Sequence, residues 1–116
     1  MRVLKRLYKA TLYSMAGLRT VFRDEVAFKQ ELLLLALGFG VLPFLNVEAL
    51  TKVLLGFSLV SILIAELINT AIENVVDRIG TEYHELSKKA KDIGSALVFL
   101  TIVCVAIFWC LLILYV

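Results

Sequence analysis

Apolar residues fall in three long blocks, and a fourth segment ahead of them mixes apolar and basic positions at helical spacing. In that leading segment Val3, Leu4, Leu7, Tyr8, Thr11, Met15, Leu18 and Phe22 mark one side of a helix, while Arg2, Lys5, Arg6, Lys9, Arg19 and Arg23 decorate the rest. This pattern predicts a basic amphipathic helix over residues 1–24, which lies in a membrane interface, covers the protein's own core, or does both. No uninterrupted apolar core or small-residue cleavage site gives it the character of a signal peptide. The blocks that follow predict spans at 25–45, 49–72 and 93–116, with a polar segment at 73–92 between the second and third. The first block is short on its own, from about Leu32 to Leu45, and carries Gly38, Gly40 and Pro43. It reaches the roughly 20 residues needed to cross a bilayer only when counted from Glu25. Asn46-Val47-Glu48 then reads as a tight turn. The expected architecture is all-α, with three spanning helices and one interfacial helix.

Composition supports this. The chain has 116 residues, room for one domain, of which 61% are hydrophobic and 19% charged, an apolar excess over a soluble domain. A net charge of +2 and the absence of a basic block interleaved with aromatics give no sign of a nucleic-acid partner. Cys104 and Cys110 lie inside an apolar run and read as packing residues, not as a disulfide or metal pair. Lysine and arginine set the orientation. Seven precede the apolar block that begins at Leu32, four lie between the second and third spans, and only Lys52 falls near the intervening turn. The N-terminus and the 73–92 segment are therefore expected on the cytoplasmic side, and the C-terminus on the other, with Trp109 and Tyr115 in the far aromatic belt.

The chemistry is concentrated at the end of the second span. Glu66, Asn69, Glu73 and Asp77 are spaced 3, 4 and 4 residues apart, which at about 100° per residue puts them on one narrow helix face. Acidic groups at the edge of hydrocarbon are costly, and they call for a partner or a function. One reading is architectural, with the carboxylates paired to loop lysines and arginines. The other is a divalent-cation and proton-transfer site, with hard oxygen ligands suited to Mg²⁺. Glu25, at the cytoplasmic end of the first span, lies at a depth similar to Glu73 and favours the second. Lys91-Asp92 reads as the start of the third span, where a lysine adds to the positive end of the helix dipole. No GxxxxGK[ST] loop or soluble-kinase motif set is present. A chain this small hardly encloses a nucleotide alone, so sites shared between subunits are expected. Ala90 and Gly94 would allow close helix packing.

The run Glu66-Leu-Ile-Asn-Thr-Ala-Ile-Glu73-Asn-Val-Val-Asp77-Arg-Ile-Gly, then Glu82-Tyr-His-Glu-Leu-Ser and Ala90-Lys-Asp-Ile-Gly-Ser-Ala96, resembles the prokaryotic diacylglycerol kinase family. Tyr13-Ser14, Gly17-Leu-Arg19 and Glu25-Val-Ala-Phe-Lys-Gln-Glu31 extend the resemblance over nearly the whole chain. It implies a homotrimer in the bacterial inner membrane that phosphorylates diacylglycerol to phosphatidic acid with ATP and magnesium. By that resemblance Glu66 is the general base, Asn69 orients the reacting groups, and Glu25 and Glu73 hold the metal. Lys91, paired with Asp92, would stabilise phosphate charge. Arg6, Tyr13, Asp77, Glu82, Tyr83 and His84 would complete the nucleotide contacts. Ser14, Arg19, Gln30, Glu31, Ser95 and Trp109 would join Glu66 in binding the lipid.

Two positions depart from better-known members, Met15 in place of tryptophan and Lys29 in place of arginine, and both touch the lipid side. An undecaprenol kinase, from the same family, is the nearest alternative. Gln30-Glu31 favours diacylglycerol, since those relatives tend to carry histidine where Glu31 stands. A small proton-coupled transporter would use Glu66 as a relay but leaves Glu25, Glu73 and Lys91-Asp92 without a task.

Overall fold

A computed structural model describes residues 1–115. It is all-helical: α1 (Arg2–Asp24), α2 (Val26–Val41) closed by a single 3₁₀ turn at Leu42–Phe44, α3 (Ala49–Ile79) and α4 (Glu85–Leu114). The fold class therefore agrees with the pattern of apolar blocks. The predicted third span ends at Val116, which lies outside the described residues.

α1 is solvent-facing along its length, with every residue exposed except the half-buried Val21. Its apolar stripe, including Leu4, Leu7, Met15 and Phe22, is left uncovered, as a helix resting on an interface requires. The helix stops where the charged run Arg23-Asp24-Glu25 meets the first apolar block. Glu25 adopts an extended conformation (φ −112°, ψ 112°) and its N–H donates to the Val21 carbonyl. The same residue is the N-cap of α2, so one non-helical residue re-aims the chain between the two helices. At the other end of α2, Pro43 lacks an N–H and its ring crowds the carbonyl four residues back. The helix closes there, and the Lys52 ammonium donates to the Pro43 carbonyl at 3.5 Å.

Three segments are long and apolar enough to cross a membrane: Val26–Phe44, Ala49–Ile79 and Glu85–Leu114. The chain is a multi-pass membrane protein. α3 is the central element and the most buried of the three, packing against both α2 and α4. Leu35 of α2, Leu59 and Ile62 of α3 and Val105 of α4 form the core, with Leu63 and Trp109 packed on it. Hydroxyls inside the spans are satisfied locally. Ser58 and Ser61 donate to carbonyls three residues back, and Thr101 to one four residues back, which keeps polar groups from facing lipid unpaired.

α3 and α4 have 31 and 30 residues, about ten more than a bilayer crossing needs. Both surpluses lie at the same end, because α3 runs towards it and α4 runs away from it. The polar stretch after the second span is thus largely helical, and only Gly80–His84 lies outside the helices. This helical extension carries the polar ends of α3 and α4 beyond the apolar span.

Candidate active site

The acidic stripe of α3 is confirmed as a single face, graded in burial. Glu66 and Asn69 are buried, Glu73 is half-buried and Asp77 is exposed. Glu66 keeps 7% of its surface and faces Glu31 of α2, whose carboxylate approaches its own. Glu25 and Glu73 lie near enough for their charges to bear on Glu66, and the Thr70 hydroxyl is within hydrogen-bonding reach of it. Asn69 Nδ2 donates to Glu73 Oε1 at 3.0 Å. Glu31 Oε2 and Asn69 Oδ1 are buried without a hydrogen-bond partner. Acceptors in such a position are expected to find a donor or cation when the site is loaded.

Beyond the stripe, the Gly80–His84 loop and the facing ends of α3 and α4 enclose a cleft of about 240 Å³. Asp77, Glu82, Tyr83, His84, Lys91 and Asp92, all candidate nucleotide contacts, line it. The His84 ring is also the N-cap of α4, its Nδ1 accepting from the Leu86 N–H at 3.1 Å. The Glu82 carboxylate folds back over Gly80, where a Cβ would stand 2.6 Å from its Oε1.

Two expectations about Lys91 are corrected. It pairs with Asp77 across the helices at 2.7 Å, and Asp92 pairs instead with Lys88 at 2.6 Å. Neighbours in sequence point about 100° apart on a helix and cannot face each other, whereas Lys88 and Asp92 are four apart. Nor does Lys91 sit at a helix N-terminus, because α4 starts at Glu85, almost two turns earlier. Its charge acts as a point charge between Asp77 and Glu73, without help from the dipole.

The remaining candidates are not gathered in one place. Arg6, Tyr13, Ser14 and Arg19 are exposed on α1 and none lines the cleft. The Ser14 hydroxyl is used locally, donating to the Ala10 carbonyl at 2.8 Å. Gln30 and Ser95 are exposed. Trp109 lies deeper, donating through Nε1 to Ser58 Oγ at 2.9 Å. It lines an apolar groove of about 340 Å³ with residues of α2, α3 and α4 such as Leu37, Leu59 and Ile102. Thr70 was missed from the sequence, although its spacing of four from Glu66 was a usable signal. Lys88 was missed for the same reason.

The profile of prokaryotic diacylglycerol kinases matches residues 12–113 of this chain. The chain belongs to that family. Among its relatives, the diacylglycerol kinase of Escherichia coli strain K12 is 49% identical over 107 residues, covering 92% of this chain and 88% of the relative. The diacylglycerol kinase of Haemophilus influenzae is 42% identical over 106 residues, 91% of this chain and 90% of the relative. That of Pseudomonas aeruginosa strain PAO1 is 42% identical over 106 residues, 91% and 86% respectively. As a member of this kinase family the protein is an enzyme and a transferase, and the transporter reading falls away.

A kinase of this family implies a nucleotide donor, and the donor set here suits the metal that accompanies one. The described residues hold no group of three or more His, Cys, Asp or Glu side chains that would cage an ion. Mg²⁺ does not require one, since it is commonly bound by one or two carboxylates together with phosphate oxygens and water. Glu73 has one oxygen engaged by Asn69, and Glu25 is half-buried at the head of α2.

Proposed function

We propose that the protein transfers the γ-phosphoryl group of ATP to the free hydroxyl of diacylglycerol, forming phosphatidic acid and ADP at the cytoplasmic face of the bacterial inner membrane. The observation that carries this reading is the graded stripe: a buried Glu66 at the hydrocarbon edge, leading through Asn69 and Glu73 to a charged cleft outside it. A lipid hydroxyl and a water-soluble nucleotide meet only at such a boundary.

In this reading Glu66 takes the proton from the lipid hydroxyl as its oxygen forms a bond to the γ-phosphorus. The bond from that phosphorus to the bridging oxygen breaks, and the electron pair leaves with ADP. Asn69 orients the groups around Glu66, and Lys91, released from Asp77, neutralises charge on the transferred phosphoryl. Glu25 and Glu73 would hold Mg²⁺, which when bound offsets the negative charge of the ATP phosphates. Asp77, Glu82, Tyr83, His84 and Asp92 contact the nucleotide in the cleft. Arg6 and Tyr13 add contacts from α1, and Ser14, Arg19, Gln30, Glu31, Ser95 and Trp109 receive the lipid. Phosphoryl transfer asks a protein chiefly for positioning and charge neutralisation, and a short set of polar groups at a membrane edge supplies both.

The separation of α1 from the cleft supports an oligomer with sites completed between subunits, and the family resemblance makes that oligomer a homotrimer. The lysine and arginine distribution supports a cytoplasmic N-terminus and a C-terminus on the opposite side.

The test is transfer of labelled γ-phosphate from MgATP in mixed micelles, with diacylglycerol and undecaprenol offered separately. Labelled phosphatidic acid, lost in Glu66→Gln, is the expected result. Labelled undecaprenyl phosphate alone would keep the chemistry and overturn the lipid assignment.

A further inference from the structure

Gly94 is buried on the face of α4 that meets α3, and the space its side chain would take is filled by Asn69. A Cβ at position 94 would collide with Asn69 Oδ1, and would meet Asn69 Cγ at 3.3 Å and Ile72 Cδ1 at 3.6 Å. The Asn69 amide is held from its other side, where Nδ2 donates to Glu73 Oε1. Its Oδ1, lying against Gly94, is buried and has no hydrogen-bond partner. The orientation of the amide is thus fixed by the bond to Glu73 and by the absence of a side chain at 94. Turning the amide over would set its oxygen against a carboxylate oxygen, with no bond between two acceptors.

The other crowded glycines differ. A Cβ at Gly38 would meet Leu59 Cδ1 at 2.7 Å, and one at Gly80 would meet Glu82 Oε1 at 2.6 Å. The Glu82 carboxylate ends a longer, exposed side chain that can swing aside, and Leu59, though buried like Asn69, carries no polar atom whose hydrogen bond a shift would break. Asn69 has two side-chain torsions and is itself buried, so moving Oδ1 away from position 94 draws Nδ2 off Glu73.

We infer that Gly94 is a positioning residue for nucleotide binding: by lacking a side chain it seats the Asn69 amide that holds the Glu73 carboxylate in place. A methyl group at 94 therefore weakens binding of the metal–nucleotide complex through Asn69. The inference rests on the reading of Glu73 as a metal ligand.

The test uses the full chain in detergent micelles and Mn²⁺–ATP as a paramagnetic probe, with binding followed by electron paramagnetic resonance and folding by thermal unfolding. Gly94→Ala and Asn69→Ala are each expected to weaken probe binding by about tenfold, a change of about 1.4 kcal/mol. The double variant is expected to bind no worse than Asn69→Ala alone, because the group Gly94 acts through is gone. Unchanged binding in Gly94→Ala, or a full additional loss in the double variant, would overturn the inference. If Gly94→Ala does not fold, the double variant is expected to fold, since residue 69 then leaves room; its failure to fold would also overturn it. Glu73→Gln separates the two claims. Should it bind the probe normally, the metal reading itself fails. Should it bind poorly while Gly94→Ala binds normally, only the role of Gly94 fails.

Discussion

Glu66 combines features that rarely coexist in a purely structural residue: it is ionisable, buried to 7% exposure, and faces a second carboxylate, that of Glu31. Stability alone favours replacing such a group, because burial penalises its charged form and a nearby carboxylate adds repulsion. Glu66→Gln keeps the shape and removes the basic oxygen. It is expected to lower phosphoryl transfer by about a hundredfold to ten-thousandfold, the range a positioned general base supplies. Its midpoint of thermal unfolding in micelles is expected to stay the same or rise. A variant that unfolds readily would point to an architectural role instead. At this scale the sequence was informative along one helix and silent across helices. The 3, 4, 4 spacing placed Glu66, Asn69, Glu73 and Asp77 on one face, and the structure agrees, with Asn69 bonded to Glu73 one turn on. The partner of Lys91 depends on the register of α4 against α3, which no local spacing encodes, and the same is true of Gly94 beneath Asn69.

Between elements, α3 and α4 are tied by side chains at two levels. Lys91 bonds Asp77 at the cleft end, and Trp109 bonds Ser58 deep in the bundle. The 18 positions from Lys91 to Trp109 span about 27 Å of helix, so the two ties set both ends of the same interface. Trp109→Phe keeps the ring packing on the core and removes the N–H donor. Interhelical hydrogen bonds in membranes average about 0.6 kcal/mol, and a loss of that order is expected in unfolding titrations. At saturating lipid the rate of transfer should fall little, because the reacting groups lie at the other tie, while the KM for the lipid should rise, since Trp109 is proposed to receive it. His84→Ala acts at the start of α4, where it removes the N-cap. It is expected to destabilise by about 0.5–2 kcal/mol and to speed hydrogen exchange at the Leu86 amide. A change in nucleotide affinity with unaltered exchange would show that the ring serves the nucleotide more than the helix. The elements themselves were legible because apolar blocks, Pro43 and the charged run at Arg23–Glu25 mark where helices begin and end. The helical character of the polar stretch beyond the loop, from Glu85 to Asp92, was hidden because exposed helix surface carries no hydrophobic period to read.

For the whole molecule, the arrangement of one chain leaves a specific deficit if, as proposed, Arg6 and Tyr13 contact the nucleotide. The carboxylate stripe and the cleft share α3 and α4, whereas Arg6 and Tyr13 stand exposed on α1 and contribute nothing to the cleft walls. Large apolar residues of α2 and α4, among them Leu33, Leu37, Phe99 and Ile107, remain uncovered. Lipid alone satisfies such faces, but lipid cannot bring α1 of one chain to a cleft. A neighbouring subunit can, and membrane helices associate through close packing of just such surfaces. If each site combines the stripe of one subunit with α1 of another, two inactive chains should repair each other. Glu66→Gln chains and Arg6→Ala/Tyr13→Ala chains, unfolded together and reassembled as mixed oligomers, are expected to regain activity that neither shows alone. Mixing them after assembly should restore nothing. Mixed oligomers that stay inactive, while each variant binds lipid and folds normally, would mean that every subunit builds its site from its own residues. α1 would then have to fold back over its own cleft to bring Arg6 and Tyr13 to the nucleotide, and a distance measured between labels on α1 and the Gly80–His84 loop would shorten when ATP binds.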